Sequence, residues 1–408
     1  MDLEESSKTE EQKIKFSFPM LTIKTQIFNR MFNKLGTFRA SKIASWIALV
    51  LVPIIAAIGL YMVFFSLITI ISTPAAGEIT RELGPTAYLL IPGINPILPI
   101  FYGWIAIICA IVIHEGAHGI AARSLGFRVK SSGLLFFLFI PIGAFVDVDE
   151  KQIEKSKPKR AIRVMAAGVG GNIVIAVACL IGILVIVGGL TPKIDGVFIG
   201  GVEEGMPAEI AGILSEDVFI SINSTAINNY EDLRTILDKT APGEIIEVTV
   251  ARGKLWDETF SVSINLIEYE DRAIMGVNNL IDLRTKERLS FYQDIKLQTI
   301  SIHLVPPALA SLIVPYSEVL SPFYTHAMGE QWSVIANMLF WLWFINVNLA
   351  VFNALPIYPL DGGRIFNIAL KGVLGQRLKK KLISQITSAV TLTIVFAILL
   401  MAIFPFIT

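Results

Sequence analysis

Ile111-Val112-Ile113-His114-Glu115-Gly116-Ala117-His118-Gly119-Ile120 lies toward the end of a long apolar segment that begins near Ile97. Written as a helix, this stretch sets His114 and His118 one turn apart on one face, where both imidazoles reach a single metal ion. Glu115 stands beside them, placed to take a proton from metal-bound water. Ionisable side chains inside a membrane span are costly and are kept mainly where they work. The stretch therefore reads as a zinc hydrolase site within a bilayer. The plainer alternative is a helix end with two histidines near the membrane surface. A catalytic zinc takes three protein ligands and keeps one position for water, so a third ligand has to come from elsewhere in the chain.

The composition suits that setting. Of the 408 residues, 54% are hydrophobic and 17% charged, and the mean hydropathy is +0.65. These values belong to a polytopic membrane protein with a water-exposed part. The net charge is zero, which gives no reason to expect a nucleic-acid partner. The two cysteines, Cys109 and Cys179, both fall in apolar segments, against a disulfide framework or a cysteine-rich zinc site. More than forty polar and charged residues open the chain, so no cleavable signal peptide is expected.

Taken in order, residues 1–44 form a polar cytoplasmic segment, and the first span falls within 45–72. A catalytic membrane half follows over 97–190, with the HExxH span at about 97–122 and another span at about 164–190. Residues 193–268 change to mixed charge and alternating apolar residues, which reads as a soluble domain. Residues 269–333 form a connector that contains the apolar stretch 297–320, and 334–408 form a second membrane half. In all the chain reads as a polytopic α-helical membrane protein with about six spans. Basic residues orient it: eight precede the first span, nine lie in 123–163 and six in 364–381, whereas the 73–96 link holds only Arg81. The positive-inside rule puts the first three groups in the cytoplasm and the link outside. The soluble domain is then extracytoplasmic. Parity leaves no crossing for 297–320, whose Pro306-Pro307 and Pro315 fit a surface-lying or re-entrant segment.

The third ligand should lie at the depth of the histidines. Asp361, in Asn353-Ala354-Leu355-Pro356-Ile357-Tyr358-Pro359-Leu360-Asp361-Gly362-Gly363, closes an out-to-in span. His114 is roughly 25 Å from the outer start of its own span at about 1.5 Å per residue, so both sit toward the cytoplasmic side. Pro356 and Pro359 break the helix before Asp361, and broken helices at membrane depth are tolerated where they line a cavity or are buried in protein. An ordinary Asp-Gly turn is the alternative.

The combination of His114-Glu115-Gly116-Ala117-His118, then Asn353-x-x-Pro356, then Leu360-Asp361-Gly362, resembles the site-2 protease family of intramembrane zinc metalloproteases. Ala167-Gly168-Val169-Gly170-Gly171-Asn172 is similar to the small-residue motif of that family's next core helix, although Gly170 stands where the family often has proline. Pro141-Ile142-Gly143-Ala144-Phe145-Val146 resembles its membrane-associated β-hairpin, here 132–146. The resemblance implies a three-helix catalytic core, zinc on His114, His118 and Asp361, and Glu115 as general base and later acid. It also implies that Asn353 and Asn172 orient substrate or stabilise an oxyanion; Asn172 serves equally well as interhelical glue among small residues. The hairpin is expected to add a substrate strand by edge pairing, because a transmembrane helix must unwind before its peptide bonds are reachable. A simple interfacial hairpin is the alternative.

The soluble domain resembles a PDZ domain of the protease-associated kind, through Gly196-Val197-Phe198-Ile199-Gly200-Gly201-Val202, Met206-Pro207-Ala208 and Asp217-Val218-Phe219-Ile220-Ser221-Ile222-Asn223. Glu216 and Ser224 replace glycines common there. Its expected role is peptide capture at Val197–Ile199 or steric filtering. His303 and His326 fall outside ligand spacing and read as surface histidines. Trp332, Trp341 and Trp343 read as anchors and packing. The expected activity is zinc-dependent cleavage of transmembrane protein substrates in a cell membrane, with lipid as the surrounding partner. A zinc transporter and an inactive membrane scaffold are the rivals, and Glu115 separates the first of them, since only a hydrolase needs a base beside the metal.

Overall fold

Alternating apolar and polar residues in Ile14–Ser17 (β1) and Met20–Thr25 (β2) form an antiparallel pair at the start of the described chain. The computed structural model describes residues 14–138, 140–270, 272–296, 299–375 and 377–407. It divides into two compact units, Met1–Ile181 with Met338–Thr408, and Gly182–Asn337.

In the first unit, the helix Phe28–Gly36 (α1) leads into Arg39–Ser72 (α2), whose 34 residues exceed what a hydrocarbon core of about 30 Å requires at about 1.5 Å per residue. Ile100–Ser124 (α3) carries the HExxH stretch. It stops at Gly126, whose φ of +77° is open to glycine at little cost. Val129–Phe137 (β3) and Ile140–Val148 (β4) pair antiparallel, and β2 pairs along β3. The resulting sheet has the order β1-β2-β3-β4, with β4 on an edge. The segment read as a polar cytoplasmic terminus thus supplies two strands and a helix to the catalytic half. Pro158–Gly188 (α4) completes this part of the chain.

The second unit holds Val197–Phe198 (β5), Gly201–Val202 (β6), Val218–Ile222 (β7), Tyr230–Leu237 (α5), Ile245–Arg252 (β8), Glu258–Asn265 (β9), Val277–Asn278 (β10) and Ile281–Asp282 (β11). The main sheet runs β9-β8-β7-β5-β11 over a core that includes Val197, Phe219, Leu233 and Val248. Asp217, buried in this unit, is paired by Arg252 at 2.6 Å. The unit takes in more of the chain than 193–268, because β11 in the main sheet and β10, paired apart from it with β6, come from the stretch read as connector. One expectation is corrected by this pairing. β5 is bonded on both sides, to β7 and to β11, so Val197–Phe198 has no free edge on which a peptide could add.

Within 299–320 the chain makes a 3-10 turn at Ile300–Leu304 and further turns, with no helix of spanning length. The first unit then resumes in Trp332–Ala354 (α6), Asp361–Leu374 (α7) and Lys380–Ile403 (α8). Among the described residues, five helices are long and apolar enough to cross a membrane, those of α2, α3, α4, α6 and α8. Their outward faces expose Ile54, Phe65, Val174, Val185 and Phe396, as expected where lipid is the solvent. Inside the unit, contacts fall on small residues. A Cβ on Gly170 would meet Ala48 at 2.7 Å and one on Gly171 would meet Ala117 at 2.7 Å, the close approach by which helices pack in lipid.

Candidate metal centre

The i, i+4 spacing on α3 brings His114 and His118 to the same buried face, with the two rings 4.8 Å apart. Each ring is fixed through Nδ1. His114 Nδ1–H donates to Asn172 Oδ1 at 2.7 Å and His118 Nδ1–H donates to the Val164 carbonyl at 2.8 Å, both partners on α4. With Nδ1 of each ring engaged, Nε2 is the atom left to face a metal ion. The two Nε2 atoms lie 3.2 Å apart, and Asp361 Oδ2 lies 3.0 Å from each.

Asp361 gets there because Pro356 and Pro359 end α6 and the chain turns to start α7 at the aspartate itself. Gly362 and Gly363 permit the turn, for a Cβ on either would overlap the backbone of Ala354–Leu355 or of Ile357–Tyr358. Among the described residues, buried Asp361 Oδ2 has no hydrogen-bond donor. The three atoms converge on one point at 3.0–3.2 Å from one another, an arrangement that suits a cation among them. Tetrahedral zinc with bonds of about 2.0–2.1 Å sets neighbouring ligand atoms roughly 3.3 Å apart. The donor set and its spacing both fit.

Glu115 belongs with His114 and His118 to a group whose ligand atoms lie within 4.8 Å of one another, while Asp361 Oδ2 lies 3.0 Å from both Nε2 atoms and Glu115 Oε2 accepts the Val146 N–H of β4 at 3.0 Å. That N–H lies on the edge of β4 away from β3. Glu115, His118 and Asp361 share a cavity of about 430 Å³ whose polar walls include Asp147, Glu150, Arg364 and Asn367, which gives water a route to buried chemistry.

The two asparagines fare differently. Asn172 is fully buried and both of its N–H groups are engaged, by the Ala110 carbonyl at 3.0 Å and by Asn346 Oδ1 at 2.8 Å, so it has none to offer an oxyanion. Asn353 is half-buried, donates to the Leu349 carbonyl of its own helix at 3.1 Å and does not line the cavity. Asn346, the Val164 carbonyl and the Val146 N–H escaped the sequence reading. An asparagine in an apolar helix was a signal for the first; backbone groups leave none.

Gly168 on α4 faces the donor set. A Cβ there would stand 2.5 Å from His118 Nε2 and 2.6 Å from His114 Nε2. Gly168→Ala is expected to weaken zinc retention on the order of 10–100-fold, the scale seen when the surroundings of a metal site are altered. Gly116→Ala, inside the motif but with nothing within 4 Å, should retain zinc as the parent does. Competition with a chelator of known affinity measures both; equal retention in the two variants would remove Gly168 from the site.

Residues 102–401 match the profile of peptidase family M50. An uncharacterized protein of Methanocaldococcus jannaschii is 27% identical over 378 residues, covering 89% of this chain and 80% of its own. A protein of Clostridium perfringens named as a candidate zinc metalloprotease is 26% identical, covering 71% of this chain and 92% of its own. A chloroplast protein of Arabidopsis thaliana, named as a candidate membrane metalloprotease, is 25% identical over 65% of this chain and 70% of its own. A solved PDZ domain from Listeria monocytogenes aligns with 22% of this chain at 19% identity, with a TM-score of 0.20.

Proposed function

The chain belongs to peptidase family M50, and from its donor set we propose that it is a multi-pass intramembrane zinc metalloendopeptidase acting on protein substrates. The observation that carries the reading is the convergence of His114 Nε2, His118 Nε2 and Asp361 Oδ2, with a separate carboxylate beside them. His114, His118 and Asp361 would hold zinc, which when bound would supply Lewis-acid polarisation and an activated water. Glu115 is placed to take the proton of the attacking water and return it to the leaving amine. Asn172 and the Val164 carbonyl keep both imidazoles in the ligating tautomer. A transporter has no use for a carboxylate set apart from the ligands, and an inactive scaffold no use for an intact ligand set.

The substrates are transmembrane proteins presented as extended chain. Two features support this: the site is built into helices of spanning length, and β4 turns a free edge toward Glu115. Strand addition there supplies main-chain hydrogen bonds to a segment that has lost its helical ones. Purified protein with a single-span reporter should yield fragments whose new termini map inside the apolar segment. Zinc chelation should abolish them and zinc restore them. Cleavage confined to the polar flanks would exclude the intramembrane reading.

In our reading the PDZ-like domain of 193–268 is extracytoplasmic and the part where peptide could be bound, while the zinc site lies toward the cytoplasm; the basic-residue distribution supports that orientation. With Cys109 and Cys179 replaced, single cysteines at the exposed Ser290 and Gln331 should both react with an impermeant thiol reagent applied to intact cells. Reaction at only one of them would mean that 297–320 crosses the membrane, and Asp361 would then be a bilayer away from the histidines.

A further inference from the structure

α6 carries Asn337, Asn346, Asn348 and Asn353 in a sequence that is apolar from Val334 on apart from them. Each donates to the carbonyl four residues back, a local bond that gives the amide nitrogen a partner inside its own helix. Asn346 differs in being fully buried and in turning its oxygen to another helix, where it accepts from Asn172 Nδ2 at 2.8 Å. Asn172 in turn meets His114. The contacts run unbroken from α6 through α4 to the metal ligand on α3.

We propose that Asn346 is a positioning residue for the zinc site, holding the Asn172 amide in the orientation that makes His114 a ligand; the inference rests on the zinc-site reading above. The two ends of an amide are nearly equal in shape, so its orientation is decided by its partners. Two acceptors, the Ala110 carbonyl and Asn346 Oδ1, face the Nδ2 end of Asn172. Reversal would point Oδ1 at both of them and an N–H at His114 Nδ1. His114 would then have to accept at Nδ1 and carry its proton on Nε2, where it cannot bind a metal. Asn346 doubles the cost of that reversal, and its own amide is fixed by the Leu342 carbonyl at 2.8 Å.

The test uses the full-length protein in lipid nanodiscs, with zinc retention read by chelator competition. Asn346→Leu should weaken retention about 10–100-fold and Asn172→Leu at least as much. The double variant should match Asn172→Leu, because Asn346 acts only through Asn172. Asn346→Asp, whose protonated carboxyl can accept from Asn172 and donate to Leu342, should recover retention near the parent. Asn348→Leu, on the same helix but away from the site, should leave it unchanged. The gap in melting temperature between zinc-loaded and zinc-stripped protein should narrow in Asn346→Leu. Parental retention in Asn346→Leu, additive losses in the double variant, or an unchanged gap would each overturn the relay. Zinc kept by His114→Ala would instead overturn the site reading itself, so the two failures are distinguishable.

Discussion

Glu115→Gln is expected to keep about one zinc per chain and to lose proteolysis by about 10²–10⁴-fold, the usual contribution of a positioned acid–base group. The substitution preserves shape, and an amide oxygen can still accept the Val146 N–H that Glu115 Oε2 accepts at 3.0 Å. The hairpin therefore keeps its contact with α3. What disappears is the ability to take a proton from water. The metal should stay because Asp361, not Glu115, completes the triangle with the two Nε2 atoms. Quantitative proteomics of membrane-protein fragments, in cells expressing either form, measures the loss, and elemental analysis of the purified proteins measures the metal. Fragment yields close to parental would transfer the base role to another group. Loss of zinc along with activity would place Glu115 among the ligands and revive the transporter reading.

Replacing the ligands should reverse that pattern. His114→Ala and His118→Ala are each expected to fall from about one zinc per chain to nearly none, since each removes one of the two imidazoles of the donor set. Asp361→Ala should retain zinc more weakly than the parent and better than the histidine variants, because both imidazoles remain held through Nδ1 by Asn172 and Val164. All three should be inactive. Elemental analysis after dialysis against a weak chelator gives the ranking. A fully loaded His114→Ala would leave the buried convergence of these atoms at 3.0–3.2 Å without an explanation.

What was legible in the sequence was whatever repeats with a fixed period or carries a demand of its own. The i, i+4 histidines require one face of one helix, and the prolines before Asp361 require a break. An aspartate among apolar residues then has to be accounted for. Asn172 was legible as a candidate and as interhelical glue, but not as the partner of His114, because a primary structure does not say which end of an amide faces which neighbour. Asn346 had the same apolar surroundings as Asn348, and only the packing of α6 on α4 separates them. The strands at Ile14–Ser17 and Met20–Thr25 were outweighed by charge. Their alternation, Ile14-Lys15-Phe16-Ser17 and Leu21-Thr22-Ile23-Lys24, is plain once β3 supplies a partner. In the second unit, two-residue strands such as Val277–Asn278 are shorter than any periodic signal.

The proposed ligands of the zinc come from chain segments separated by roughly 250 residues, with all of Gly182–Asn337 between them. Joining such distant points has an entropic cost that rises only with the logarithm of the distance, about 0.6 kcal/mol for each doubling of a flexible loop. The intervening stretch can therefore grow, shrink or be exchanged with little penalty to the closure itself. The arrangement lets the inserted part be remodelled for new recognition tasks while the chemistry stays where it is.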